Sequence, residues 1–250
     1  MSTDSYALVT GASSGLGTEF AEHLAAKGHS LVLVARDQDR LNAIARDLEA
    51  RFGVACEVLP ADLHTVDGRA RVASRLQDDS APIRVLVNNA GYGIPGDLAD
   101  SDLASEIDHM VIHVQVPLEL TKAVLPGMVS RGVGRVILVS SVAGYLARGS
   151  YSAHKAWGLT MAKSLNATYK KHGVHVSAVA PGFTRTEFHQ RMGMNVSSIP
   201  EFFWLSAPAV VKASMKAVEA GQPITVPSLT YKALVALAGL VPASWHQRGV

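Results

Sequence analysis

The chain has 250 residues, of which 48% are hydrophobic and 18% charged. That composition excludes an intrinsically disordered chain, and the length suits one domain with a core that needs neither disulfides nor structural metals. The net charge of +2, from 23 Lys and Arg against 21 Asp and Glu with no run of five like charges, leaves no footprint for nucleic acid. The one cysteine, Cys56, excludes an internal disulfide and a multi-cysteine zinc site and reads as a small strand residue. The opening Met1-Ser-Thr-Asp-Ser-Tyr6 lacks the basic start of a signal peptide, and no apolar run approaches the ~20 residues of a membrane span. The expectation is a soluble, cytoplasmic protein.

Short apolar runs alternate with longer amphipathic segments. Strands are predicted at Tyr6–Thr10, Ser30–Ala35, Ala55–Pro60, Ile83–Asn88, Arg135–Ser140, Val174–Ala180 and Ile224–Pro227. Helices are predicted between them at Gly15–Lys27, Asp39–Phe52, Val66–Gln77, Leu103–Met128 with a kink at Pro117, Tyr151–His172, Pro208–Gly221 and Tyr231–Leu240. Strands such as Val136-Ile-Leu-Val139 are apolar throughout, as strands buried on both faces must be. The pattern predicts an α/β fold, a doubly wound parallel sheet with helices on both faces, formed by one domain over residues 1–250. Residues 183–206 break the rhythm with Phe183, Phe188, Phe202, Phe203 and Trp204 and read as a lid over a cleft, with 183–250 as the variable part.

The first strand runs into Thr10-Gly-Ala-Ser-Ser-Gly-Leu-Gly17, which opens the first helix. Glycines at 11, 15 and 17 let the backbone turn tightly and approach a pyrophosphate, and the helix N-terminus offers N–H groups and a favourable dipole. Thr18 stands where a P-loop would need lysine.

This spacing resembles that of the short-chain dehydrogenases/reductases, and further markers follow in that family's order: Asp62-Leu63 after the third strand, Asn88-Asn-Ala-Gly91 after the fourth, Tyr151-Ser-Ala-His-Lys155, and Pro181-Gly-Phe-Thr-Arg-Thr186. The resemblance covers residues 5–190. It implies a Rossmann-like fold, a nicotinamide cofactor and oxidoreductase activity. It also implies cofactor contacts from Gly11, Ser13, Ser14, Gly15, Leu16, Gly17, Asp62, Leu63, Asn89, Ala90, Gly91, Tyr151, Lys155, Pro181, Gly182, Thr184 and Thr186.

Residues Tyr151 and Lys155, four apart, share a helix face. An ammonium beside a phenol favours the phenolate, which predicts a lowered tyrosine pKa suited to acid–base work. A serine hydroxyl at the end of the fifth strand can bond a substrate carbonyl. The family pattern S-S-x-x-G implies Ser141 rather than Ser140. The following loop, 142–150, is shorter than the family's.

One position departs from the family. His113 stands where an asparagine is typical, in His113-Val-Gln-Val-Pro-Leu118. Three readings stand open: a main-chain carbonyl role that survives the substitution, a proton shuttle through the imidazole, or a packing histidine. His109, one turn earlier, makes an i, i+4 pair that could touch a metal, but no third ligand lies near in sequence, and no metal is expected.

Cofactor choice rests on the end of the second strand. Ala35-Arg36 stands where an NAD enzyme wants an acid, and a guanidinium matches a 2′-phosphate. The expected cofactor is NADP, with NADPH preferred over NADH. Phe202, Phe203 and Trp204 read either as an apolar substrate site or as a core cluster. The segment Leu229–Trp245, with Pro242, reads as packing against the cleft or a neighbour, with membrane contact a weaker alternative. The expected reaction moves a hydride between NADP(H) and a carbonyl or secondary alcohol on a small apolar substrate, in a homodimer or homotetramer. The rivals are an NADP-binding sensor or scaffold without turnover, and a membrane-surface reductase of lipid ketones (3-oxoacyl or steroid-like).

Overall fold

Seven parallel strands form one sheet in the order β3-β2-β1-β4-β5-β6-β7. They are β1 (Tyr6–Thr10), β2 (Ser30–Ala35), β3 (Cys56–Pro60), β4 (Ile83–Asn88), β5 (Gly134–Val139), β6 (Val174–Val179) and β7 (Ile224–Thr225). The computed structural model describes residues 5–94, 98–188 and 199–238. The middle of the predicted lid, Leu240, Pro242 and Trp245 lie outside the described residues.

Eight α-helices connect the strands among the described residues. They are α1 (Gly15–Ala25), α2 (Gln38–Phe52), α3 (Val66–Leu76), α4 (Leu103–Met110), α5 (Val116–Arg131), α6 (Gly149–Tyr169), α7 (Ala207–Glu219) and α8 (Leu229–Ala238). Strand residues alternate between two cores. Ala7, Val9, Leu31 and Leu33 pack with Phe20 and Leu24 of α1, Leu41 and Leu48 of α2, and Val211 and Met215 of α7. Leu8, Val32 and Val34 face the other way, towards the layer of Val72, Leu120, Met128 and Leu159 from α3, α5 and α6. Burial of both faces explains why these strands carry no polar alternation.

Local chemistry sets the helix ends. The Asp37 carboxylate accepts the Arg40 N–H at the start of α2, and Gly53 ends it in the left-handed region. Among the described residues no helix is long and apolar enough to cross a membrane.

The predicted long helix 103–128 is in fact two helices, and the break is not at Pro117. A π-helical turn, Val111–Gln115, separates α4 from α5. Pro117 sits in the first turn of α5, directly after the π-turn, and donates no N–H to the carbonyls of that turn. The strand order reverses between β1 and β4, so the turns after these strands diverge and open a crevice at their C-terminal ends.

Candidate active site

That crevice is a cavity of about 1770 Å³, beyond the ~300–1,000 Å³ of ordinary small-molecule pockets. The glycine turn forms one wall. Gly15 adopts φ +58, a conformation that side chains rarely take. A Cβ on Gly17 would overlap the Gly11 carbonyl. Thr186 stands across from Gly15, with its Cβ 3.2 Å from where a Gly15 Cβ would be.

The turn is braced from β4. Thr10 Oγ1 accepts the N–H groups of Asn89 and Ala90 at 3.0 and 3.1 Å. The Asn89 amide donates to the carbonyls of Thr10 and Gly11 at 3.0 and 3.2 Å. Asn89 therefore holds the turn in shape through its side chain, and nothing in the sequence pattern distinguished that from a direct ligand contact.

The cavity fits an extended dinucleotide by its donor set. The Ser14 side chain does not cap α1 and the first turn carries no acid, so the N-terminal N–H groups face the cavity without a protein anion. Arg36, Asp37, Arg40, Asp62 and Leu63 line one end. Asp62 accepts the His64 N–H at 3.0 Å. The buried Arg69 guanidinium holds this corner by donating to the carbonyls of Leu63 and His64 and pairing with Glu119 at 2.9 Å. Pro181, Gly182 and Thr184 line the middle.

At the centre of the cavity the three predicted reactive side chains come together. Ser141 stands beside the Tyr151 phenol and favours its ionised form, and the Ser141 oxygen accepts the Ala143 N–H at 3.1 Å. Ser140 is turned away: it is buried and donates to the Lys155 carbonyl at 2.7 Å, joining β5 to α6. The short loop folds as a 3₁₀ turn, Val142–Tyr145, packed on α6 at Gly144. The buried Lys155 ammonium donates to the Val139 carbonyl at 2.9 Å.

The predicted lowering of the tyrosine pKa is not what this arrangement gives. Burial pushes Tyr151 up to about 12, with Ser141 opposing it. Burial also pulls Lys155 down to about 7. Desolvation outweighs attraction here, because the ammonium is directed at a carbonyl rather than at the phenol oxygen.

The departure at position 113 belongs to a cluster that sequence spacing did not reveal. His109 and His113 both bring Nε2 to the Tyr92 carbonyl, at 3.0 and 2.6 Å, and the Tyr92 N–H also meets His113 Nε2 at 3.3 Å. With His109 protonated at Nε2, its Nδ1 accepts from His154 Nδ1 at 3.0 Å. The His113 ring fills the space that a Cβ on Gly91 would need. Burial holds His109 down to about 4 and His113 well below the usual histidine range, so both rings are neutral near pH 7. A second cavity of about 20 Å³ lies among Asn88, Ile112, His113, His154, Ser140 and Lys155, and the buried Asn88 Oδ1 lacks a partner there. Among the described residues no group of His, Cys, Asp and Glu is arranged to hold a metal.

Of the three aromatic residues expected at the substrate end, Phe203 lines the cavity. Phe202 is 68% exposed, and Trp204 packs against Phe183, with ring centroids 5.7 Å apart. Three consecutive residues at a 3₁₀ turn, Glu201–Phe203 and beyond, cannot all face one way. Sequence reading also missed Tyr92, His154 and Tyr231, which reach the site from segments far apart in the chain.

Comparison with known proteins agrees with this geometry. The family model described as short chain dehydrogenase matches residues 5–196. A very-long-chain 3-oxoacyl-CoA reductase of Phaeosphaeria nodorum is 33% identical over 182 residues, covering 70% of this chain and 53% of that protein. The ketoacyl reductase HetN of Nostoc is 32% identical over 219 residues, covering 85% and 74%. The chain thus spans about half the length of the first of these relatives. Among solved structures, a short-chain dehydrogenase from Sphingobium yanoikuyae in complex with NADPH superposes with a TM-score of 0.86 at 36% identity, covering 94% of each chain. A bulky-bulky ketone specific alcohol dehydrogenase from Comamonas testosteroni gives 0.81 at 29% identity, covering 98% and 96%.

Proposed function

The chain is a member of the short-chain dehydrogenase family, and we propose that it is an oxidoreductase that reduces a ketone or aldehyde on an apolar substrate with NADPH, or runs the reverse oxidation. The observation that carries this reading is that Ser141, Tyr151 and Lys155 line the same cavity as the glycine turn, with Ser141 beside the phenol and Lys155 at its ring.

When bound, the cofactor supplies the hydride that reaches the carbonyl carbon. The residues that would hold it are Gly11, Ser13, Ser14, Gly15, Leu16 and Gly17 at the pyrophosphate, Arg36 at a 2′-phosphate, and Asp62, Leu63 and Ala90 around the adenosine half. Gly91, Pro181, Gly182, Thr184, Thr186, Tyr151 and Lys155 would surround the nicotinamide half. The chain's own residues do the rest. The Ser141 hydroxyl orients the carbonyl oxygen and Tyr151 Oη protonates it. A phenol held above its ordinary pKa is neutral at pH 7, which is the form a proton donor needs.

For position 113 we favour a main-chain role. Both rings of the His109–His113 pair turn Nε2 to the Tyr92 backbone, and burial holds them neutral. The π-turn redirects the carbonyls of Val111–Gln115, and the 20 Å³ cavity beside Ile112 and Lys155 is the size of one water. A water there would join the lysine to these carbonyls.

The NADPH preference rests on Arg36. Homo-oligomerisation is supported by Leu103, Ile107 and Met110, exposed apolar residues spaced along one side of α4. A cytoplasmic location fits the single cysteine. Titration with NADPH and with NADH, followed by a panel of ketones and aldehydes, tests the reading. Tight NADPH binding with turnover of an apolar carbonyl is expected; binding without turnover of any compound would leave the sensor alternative.

A further inference from the structure

Helix α8 forms the far wall of the substrate end of the cavity, through Tyr231, Leu234, Val235, Leu237 and Ala238. Among its ten residues Tyr231 alone is buried. Leu234 and Leu237 are 43% and 59% exposed although they line a cavity. Tyr231 is thus the side chain through which this helix enters the core, while the helix also packs on the Val142–Tyr145 turn.

Tyr231 reaches two other segments. Its hydroxyl accepts the Phe183 N–H at 3.0 Å and donates to the Phe203 carbonyl at 2.9 Å. Its ring lies where a Cβ on residue 182 would have to go, so only glycine at 182 admits it. The ring also meets Phe203, with centroids 6.0 Å apart. Residues 182 and 184 belong to the segment assigned above to the nicotinamide half, and Phe203 belongs to the segment paired beside it through the Thr184–Leu205 bridge. The Phe183 carbonyl in turn accepts the Leu205 N–H at 2.8 Å, so the two segments are paired directly as well.

We infer that Tyr231 is a specificity-determining positioning residue: it fixes α8 against the Pro181–Thr184 segment and the Phe203 wall, and so sets the room for the apolar body of a bulky ketone. This rests on the function proposed above. The exposed leucines of α8 are the surface such a body would cover, and their burial would favour large apolar substrates over small ones. Tyr231 acts on substrate through the helix it places, at a distance from the reacting carbonyl. That predicts an effect on substrate size preference.

Tyr231→Phe tests this, because it removes the hydroxyl and keeps the ring. Two measurements are made on the whole protein, with Lys232→Ala, exposed on the same helix, as control. The first is the ratio of KM for a bulky apolar ketone to KM for a small one. The second is amide hydrogen exchange over residues 201–205 and 229–238. In Tyr231→Phe the KM ratio should rise roughly tenfold, the scale of an unsatisfied buried polar pair, and exchange in both segments should quicken. Gly182→Ala should quicken the same amides by displacing the ring. An unchanged KM ratio in an active Tyr231→Phe, or exchange as slow as in the parent, overturns the inference. If the parent protein reduces neither ketone, the proposed function fails, while the exchange measurement still decides whether Tyr231 holds the walls together.

Discussion

The Lys155 ammonium lies 5.6 Å from the centre of the Tyr151 ring. The same ammonium donates a hydrogen bond to the Val139 carbonyl at 2.9 Å. The pair is thus held with a neutral phenol and a lysine whose charge is costly. The phenol is therefore protonated at pH 7, the form that ketone reduction needs, and the reverse oxidation, which needs the phenolate, favours alkaline pH.

Tyr151→Phe removes the proton donor and little volume. Turnover should fall by ~10²–10⁴-fold, the range of general acid catalysis. NADPH affinity should stay within a few-fold, as read by fluorescence titration. Loss of binding and turnover together would mean that the hydroxyl supports the cofactor site instead.

Lys155 also leaves a mark on stability. In the unfolded chain a lysine stays protonated up to about 10.5, whereas in the fold it is held to about 7. Between these values the unfolded chain carries the extra proton, so raising the pH through that window stabilises the fold through this group. Lys155→Met should abolish turnover, raise the melting temperature at pH 7, and flatten this part of the pH dependence. A lower melting temperature would mean that the bond to Val139 outweighs the burial of the charge.

His109 works in an acid window. Its pKa falls from 6.5 to about 4 in the fold, chiefly by burial, with His154 and Lys155 adding repulsion and the Tyr92 carbonyl and Glu106 opposing. The unfolded chain therefore takes up a proton first, and stability is lost as the pH falls from 6.5 through 4. His109→Gln, which can still donate to Tyr92 and accept from His154, should lose less stability over that range in denaturant melts. Parallel curves for the two proteins would refute this.

Arg36 carries the choice of cofactor. Arg36→Ala should weaken NADPH binding roughly tenfold, as expected for an exposed charge-assisted contact, and leave NADH binding within about twofold. Equal weakening of both would place Arg36 away from the 2′-phosphate.

The sheet was legible because buried parallel strands such as Ser30–Ala35 are apolar along their whole length and cannot be mistaken for amphipathic helix. The glycine turn was legible because Gly15 and Gly17 answer to backbone geometry, which leaves a residue-level trace. The π-turn left none: Pro117 marks the start of α5, and the distortion lies before it. Spacing placed Tyr151 and Lys155 on one face but carried no information about desolvation, which reversed the expected pKa shift. His154 and Tyr231 acquire their partners only when α6 meets α4 and when α8 meets the segment after β6. Those contacts are properties of the assembled topology, so no local pattern announces them.

Hydride transfer itself tests the central claim most directly. The protein would be incubated with a bulky apolar ketone and NADPH deuterated at both nicotinamide C4 positions, and the product examined by mass spectrometry. The account predicts an alcohol with one deuterium on the carbinol carbon, formed by the parent protein and lost in Tyr151→Phe. Tight NADPH binding with no labelled alcohol from any ketone or aldehyde in the panel would contradict it.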